Sequence, residues 1–160
     1  MKNKIIISIL LLISFFVTTG CTKESNKVNT IVSCYHDFTL FHSNQHIENK
    51  IYLDSNNKLI DYEYIEMYSA FDSDNEYNMI CDGSKEEAIN NNKLYEYLNQ
   101  SSKCETDKVT ITNKYDMSKV TSKNNLEGKH IKNYLDDNYI LDLDNYKETI
   151  TSKGYTCRED

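Results

Sequence analysis

The chain has 160 residues, and its 25 acidic side chains outnumber its 18 lysines and arginines, which gives a formal net charge of −7. Excess negative charge repels the phosphate backbone of nucleic acids, so the composition argues against nucleic acid as a partner. The four glycines are too few and too widely spaced for a Rossmann fingerprint, a phosphate-binding loop or a nucleophile elbow.

The N-terminus has the pattern of a secretory signal. Lys2 and Lys4 precede an apolar run over residues 5–17, which is shorter than the roughly 20 residues that a membrane-spanning helix needs. A charged start, a short apolar run and small residues before a cut site are typical of a signal peptide. The sequence TTGC, ending at Cys21, resembles the lipobox of bacterial lipoproteins, whose cysteine is acylated and becomes the first residue.

These features predict three segments: a lipoprotein signal peptide over residues 1–20, a lipidated Cys21 with a flexible tether over residues 21–30, and one extracytoplasmic domain over residues 31–160. A single acyl chain binds a membrane only marginally, whereas two or more chains, such as palmitate, give a stable anchor. We therefore expect the protein at the cell membrane, anchored by lipid and facing the extracytoplasmic side.

The first half of the domain predicts a three-stranded antiparallel meander. Its first strand is expected over residues 32–41, which are rich in β-branched and aromatic residues, and the next two over residues 47–53 and 59–68, where apolar residues share one parity. Ser73 and Ser84 each precede a glutamate by three positions. This capping-box spacing predicts two helices, near residues 74–81 and 85–99.

The second half predicts a fourth strand over residues 109–117, a weak helix over residues 129–135, and a last helix that ends at Lys153 before Gly154. Strands that cluster apart from helices are typical of an α+β fold. We expect an antiparallel sheet of about four strands with helices packed on one face.

The cysteines predict disulfide bonds. Acylation of Cys21 leaves four of the five cysteines, and four cysteines in an exported domain favour two disulfides with three possible pairings. The preferred pairing is Cys34–Cys157 with Cys81–Cys104; the alternative is four buried free thiols. No CxxC spacing is present, so the usual signature of redox or zinc-ribbon chemistry is absent from the sequence.

Two groups of residues are candidate sites. His36, His42 and His46 are weak candidates for a metal site, because they could converge across the first hairpin, although polar histidines on an edge strand are commonly only solvated. The tyrosines at positions 62, 64 and 68 share one strand parity and form a possible binding surface for a ring-shaped or apolar ligand. The alternative for Tyr62, Tyr64 and Tyr68 is packing under helices.

A family resemblance rests on three stretches of sequence. The TTGC sequence, KYDMSKV at the end of the fourth strand and SKGYTC near the C-terminus, together with the tyrosine-bearing meander, resemble the small YehR-like bacterial lipoproteins. The resemblance implies an exported, acyl-anchored domain without assigned catalytic residues.

The leading interpretation is a non-enzymatic, membrane-anchored lipoprotein, without a cofactor, whose domain binds an envelope protein or a small ligand. Two alternatives stay open. One is a small metal-dependent or hydrolytic envelope enzyme that uses the histidines and nearby acids, and the other is an inhibitor or immunity-type lipoprotein. The sequence pattern specifies no oligomeric state.

The anchor yields the first prediction. In protein extracted from its native membrane, intact mass should show a chain that begins at Cys21 and carries fatty acyl groups, and Cys21→Ser should leave the chain uncleaved and without acyl groups. The four other cysteines should resist alkylation until a reductant is added. An unlipidated chain with four reactive thiols would contradict both the anchor and the disulfides.

Overall fold

The computed structural model describes residues 27–40, 43–126 and 130–160. Six strands form one sheet: β1 (Thr30–Leu40), β2 (Ser43–Leu53), β3 (Leu59–Ser69), β4 (Leu98–Glu105), β5 (Lys108–Asp116) and β6 (Thr156–Glu159). The remaining elements are two α-helices, α1 (Asp74–Leu94) and α2 (Leu143–Ser152), and two 3-10 turns, Lys123–Leu126 and His130–Tyr134. The strand order is β4-β5-β3-β2-β1-β6, and every neighbouring pair is antiparallel.

The predicted α+β class is confirmed, but the sheet has six strands instead of about four. The three strands of the predicted meander and the strand near residues 109–117 are present within a few residues of their expected bounds. The strands β4 and β6 were missed. Among the described residues, no helix is both long enough and apolar enough to cross a membrane.

The register of the strands defines the two faces of the sheet. Ile51 lies opposite Val32 on one side and Tyr62 on the other, and Tyr62 in turn lies opposite Tyr115. Directly opposed residues point to the same face and side chains alternate along each strand. One face therefore carries this fully or nearly fully buried row, and we call it the covered face.

Both helices pack on the covered face, as predicted. Tyr146 and Ile150 of α2 are completely buried in the same cluster as the row around Tyr62. Cys81 of α1 packs with Val109 and Ile111 of β5, which have the same parity as Tyr115. Each fully buried aliphatic side chain contributes roughly 1.5–3 kcal/mol. The described residues place no helix over the opposite face, which we call the open face.

The predicted break between two helices at residues 82–84 is wrong, because α1 is continuous from Asp74 to Leu94. Its start agrees with the first capping box, since the Glu76 N–H donates to Ser73 Oγ at 3.2 Å. Ser84, the second expected cap, is buried in the helix. Its hydroxyl donates to the Cys81 carbonyl and bonds Ser102 of β4 at 2.6 Å. A serine that anchors a helix to a strand can thus precede a glutamate by three positions, just as a capping serine does.

Side chains of α1 block part of the outer edge of the sheet. The backbone N–H of Gln100 in the edge strand β4 donates to Asn92 Oδ1 at 2.7 Å, and Asn92 Nδ2 donates to the Gln100 carbonyl at 2.8 Å. Asn91 Nδ2 donates to Gln100 Oε1 at 2.6 Å. The carboxamide of Asn92 therefore bonds Gln100 as a neighbouring strand would, which protects an edge that could otherwise pair with another chain.

Two disulfides have the preferred pairing. Cys34 of β1 is joined to Cys157 of β6, with the Cα atoms 4.1 Å apart. Ile31 and Asp160 exchange both backbone hydrogen bonds, which places the cysteines, three positions along, at a non-hydrogen-bonded position of the ladder. The second disulfide joins Cys81 of α1 to Cys104 of β4. On the loop-entropy model they contribute about 5 and about 3 kcal/mol, respectively.

Replacement of the edge-blocking amide yields the second prediction. Asn92→Ala should lower the free energy of unfolding by about 1–3 kcal/mol, because the backbone N–H and C=O of Gln100, a residue that is only 4% exposed, lose their partner. Urea unfolding monitored by circular dichroism measures this loss.

The matched control is Asn90→Ala, two positions earlier on the same helix, where the side chain is exposed. This change should leave stability unchanged or slightly raised, because alanine has the higher helix propensity. Equal effects of the two substitutions would show that Asn92 does not hold the edge.

Candidate binding site

Within the described parts of the five longer strands, β1 to β5, one carboxylate lies on the covered face of the sheet. Glu66 is in β3 between Tyr64 and Tyr68, and its cross-strand neighbours are Ile47 of β2 and Ile111 of β5. Within the described parts of β1 to β5, no other Asp, Glu, Lys or Arg has this parity. An acid among apolar and aromatic neighbours on an inner face is costly unless something stabilises its charge.

Tyrosine hydroxyls surround this carboxylate. Tyr68 donates to Glu66 Oε2 at 3.5 Å. Burial raises the pKa of Tyr68 to about 12, and the charge of Glu66 and its hydrogen bond add to the shift. The pKa of Tyr64 is raised well above its usual value by burial first and by Glu66 second. The pKa of Tyr155 is raised by burial and then by the charge of Glu66. All three phenols therefore stay protonated at neutral pH.

We call Tyr64, Glu66, Tyr68 and Tyr155 the tyrosine–glutamate patch. Tyr64, Glu66, Tyr68 and Tyr155 are all neither fully buried nor fully exposed. Their exposed atoms are within reach of a ligand while most of each ring is held by the protein. The patch lies between the regions of the covered face on which α1 and α2 pack. Tyr68 packs against the apolar cluster that contains Cys81 of α1. Tyr64 and Tyr155 pack against the main core cluster, which contains Tyr62 and the apolar residues of α2.

The predicted tyrosine surface is wrong at one of its three positions. Tyr62 is 0% exposed, and its hydroxyl donates to Asn49 Oδ1 at 2.6 Å, so it belongs to the core. Its ring packs against Tyr115 with centroids 5.5 Å apart. The Nδ2 group of Asn49 is buried and has no hydrogen-bond partner among the described residues. Of the predicted tyrosines, Tyr64 and Tyr68 remain candidates for a binding surface.

His36 lies beside the patch and has a structural contact of its own. Its Nδ1 donates to the Gly154 carbonyl at 2.9 Å, and its ring stacks on Phe38 at 5.3 Å and packs against Tyr155 at 5.1 Å. Gly154 has a φ of +92°, and a Cβ there would lie 3.0 Å from His36 Cε1. The turn after α2 thus needs glycine both for its backbone and for its close approach to the imidazole.

The predicted convergence of the histidines is not found. His36 pairs with Ile47 on the covered face, whereas His46 pairs with Asp37 on the open face, so His36 and His46 point to opposite sides of the sheet. His42 lies outside the described residues. Within those residues, no three His, Cys, Asp or Glu side chains lie close enough to hold a metal ion together.

The open face has its own cavity, of about 430 Å³. His46 Nδ1 lies 2.6 Å from Asp37 Oδ1, and the imidazole stacks on Tyr35 with centroids 5.7 Å apart. Ser69 and Lys108 also line the cavity. A carboxylate that orients an imidazole is one part of a catalytic triad. However, among the described residues, no serine or threonine hydroxyl hydrogen-bonds the imidazole of His46.

Sequence reasoning missed Glu66 and Tyr155. In the stretch LIDYEYIEMY, Glu66 has the same parity as Tyr62, Tyr64 and Tyr68. The sequence could therefore have indicated Glu66 as a candidate, because it is an acid among residues expected on the buried face of a strand. Tyr155 had no such signal, because the strand β6 that follows it was not predicted.

No protein-family model matches the chain, and no curated protein matches it. Among solved structures, the chain is similar to the NMR structure of a protein from Streptococcus pneumoniae TIGR4, with 14% sequence identity and a TM-score of 0.48. The match covers 84% of this chain and 87% of that chain. No site residue is transferred from a likeness of this size.

The patch yields a third prediction, on alkaline pH. An unfolded tyrosine loses its proton near pH 10, whereas folded Tyr68 retains it to about pH 12. The folded state then binds more protons, so the free energy of unfolding should fall as pH rises from 10 to 12. Glu66→Gln should lower the pKa of Tyr68 and make this fall less steep, because the charge that opposes phenolate is gone.

The measurement is a 13Cζ NMR titration of labelled tyrosines, together with urea unfolding at each pH. Tyr115 is the internal control, because its pKa of about 12 is raised by burial and by Tyr97 and not by Glu66. It should titrate alike in the native chain and in Glu66→Gln. A pKa of Tyr68 that does not change in Glu66→Gln would show that the carboxylate and the phenol are not coupled.

Proposed function

We propose that the protein is a lipid-anchored, non-enzymatic binding domain on the extracytoplasmic side of the cell membrane, with its binding site at the tyrosine–glutamate patch. The observation that carries the proposal is the half-buried carboxylate of Glu66 on the inner face of a central strand, held by phenols. Fold stability alone would favour an apolar residue at this position, as at its cross-strand neighbours Ile47 and Ile111. A few polar groups placed among apolar and aromatic side chains are typical of ligand sites.

The end of the sheet at which β1 begins supports a patch that faces away from the membrane. Thr30 begins β1 opposite Leu53, and the Asn29 N–H donates to the Leu53 carbonyl at 2.7 Å. Tyr68 pairs with Gln45, at the other end of β2. Acyl chains on Cys21 would hold the Leu53 end of the sheet toward the membrane. The patch would then lie in the half of the domain that is farther from the lipid.

The chemistry of the candidate groups favours binding over catalysis. The Cys34 thiol is consumed by the disulfide with Cys157, so it supplies no nucleophile. Phenols whose pKa is raised are poor general bases at neutral pH. Tyr64 and Tyr68 are suited instead to hydrogen bonding and to ring contacts with a ligand. The resemblance to YehR-like lipoproteins is consistent with such a role and itself stays a prediction.

Site-specific photocrosslinking tests the proposal and gives the fourth prediction. In the full, acylated chain in its native membrane, Tyr68→p-benzoylphenylalanine should form a discrete adduct on irradiation, seen by electrophoresis for a protein ligand and by intact mass for a small one. The matched control is Thr112→p-benzoylphenylalanine, half-buried on the open face of β5. It should form no such adduct.

Two outcomes contradict the proposal. Absence of any adduct at Tyr68, in a chain shown to be acylated and disulfide-bonded, would mean that nothing occupies the patch. Adducts at Thr112 and none at Tyr68 would move the site to the open face, where the cavity beside His46 lies.

A further inference from the structure

We infer that the tyrosine–glutamate patch binds an alkylammonium group, that is, a primary amine in its protonated form. This inference names the ligand class for the proposed binding function and rests on it. It is argued from the charge of Glu66, from the arrangement of the rings and from the number of oxygens that the patch offers.

The first argument is a missing counter-charge. On the open face, two carboxylates of the central strands have cationic partners: Glu63 pairs with Lys114 at 3.0 Å and Glu48 with Lys50 at 3.6 Å. Among the described residues, Glu66 has no ion pair with a lysine, arginine or histidine. A carboxylate that is partly removed from water gains more from a cation than an exposed one does. A cationic ligand would supply the partner that the chain provides elsewhere.

The second argument is the surrounding rings. At one side of the patch, the His36 ring stacks on Phe38 with centroids 5.3 Å apart and packs at a tilt against Tyr155 with centroids 5.1 Å apart. Tyr64 and Tyr68 flank Glu66 along its own strand. Aromatic faces attract cations, and cages of aromatic residues with a carboxylate are a recurrent way to recognise ammonium groups. Each phenol donates its proton toward Glu66 or solvent and keeps oxygen lone pairs that accept an ammonium N–H.

The third argument separates an ammonium from other cations. Ca²⁺ takes six to eight oxygen ligands, whereas the patch offers one carboxylate and three phenols. A guanidinium prefers both oxygens of a carboxylate in one plane, but Tyr64 and Tyr68 already hydrogen-bond Glu66. A compact ammonium needs only one oxygen and a ring face. The acidic net charge of −7 also attracts cations over longer distances.

The test, which gives the fifth prediction, is a titration of the full acylated chain in a non-ionic detergent, with 13C-labelled tyrosines followed by NMR. Addition of n-butylammonium chloride should shift the resonances of Tyr64, Tyr68 and Tyr155 in a saturable way. The uncharged n-pentanol, which has a similar shape, should bind about tenfold more weakly or not at all.

Two glutamate variants make the test specific. Glu66→Gln preserves the size and hydrogen bonding of the side chain and removes its charge, and it should weaken n-butylammonium binding about tenfold. Glu63→Gln removes the same charge from the open face of the same strand and should leave the affinity within about twofold. Native-like tyrosine spectra and intact disulfides show that each variant is folded. Equal weakening by both variants would overturn the inference, because it would reveal only the general attraction of an acidic protein for cations.

A second titrant distinguishes a protein lysine from a free amine. If the ligand is a lysine side chain, the peptide acetyl-Gly-Lys-Gly-amide should bind more tightly than n-butylammonium; if it is a free amine, the peptide should bind equally or more weakly. Absence of shifts with both titrants, or equal shifts with n-pentanol, would overturn the ammonium assignment. An adduct at Tyr68 in the photocrosslinking experiment would then still support the binding site, so the inference and the proposed function fail separately.

Discussion

The pairing of β3 with β5 is the constraint on which the rest of the structure depends. It joins Asp61–Ser69 to Lys108–Asp116, and α1 and β4 lie in the stretch of chain between these two strands. The pair unites the N-terminal meander with the C-terminal hairpin in one sheet. Its register places Tyr62 opposite Tyr115, so the buried side chains of β5 lie on the same face as those of β3. A shift of one residue would turn Tyr115 to the open face, bring Lys114 to the covered face and break its ion pair with Glu63.

The two helices that pack on the sheet, α1 and α2, are held by different contacts, and the patch lies between them. On one side, α1 is held to β4 by the Cys81–Cys104 disulfide, the Ser84–Ser102 hydrogen bond and the Asn92 carboxamide. On the other side, the apolar residues of α2 pack in the main core, and the disulfide at Cys34 ties the strand after α2 to β1. Neither helix buries Glu66 completely. The position of the half-buried patch is thus a consequence of how the two helices are anchored to the sheet.

Local pattern predicted most strands because alternation with a period of two is visible in β5 and in the second half of β2, while β1 and β3 are rich in β-branched and aromatic residues. It failed where tertiary contacts decide the structure. The strand β4 has the sequence LNQSSKCE, in which apolar and polar residues do not alternate regularly. Its side chains form hydrogen bonds with polar side chains of α1, which the local sequence does not reveal. The strand β6 is four residues long and depends on the Cys34–Cys157 disulfide and the ladder at Ile31. The number of cysteines limited the disulfides to three possible pairings, of which the preferred one is present, whereas the opposite directions of His36 and His46 required the hairpin register.

Glu66 is the point at which local pattern and physical cost disagree most. An isoleucine at this position would match Ile47 and Ile111 on either side and would need no phenol to stabilise it. Instead the chain places tyrosines two residues before and two residues after the carboxylate, so that their hydroxyls offset its lost hydration. The same phenols become harder to ionise, which preserves them as donors. The carboxylate and the neutral rings therefore supply the negative charge and the aromatic surface that the proposed ammonium ligand requires.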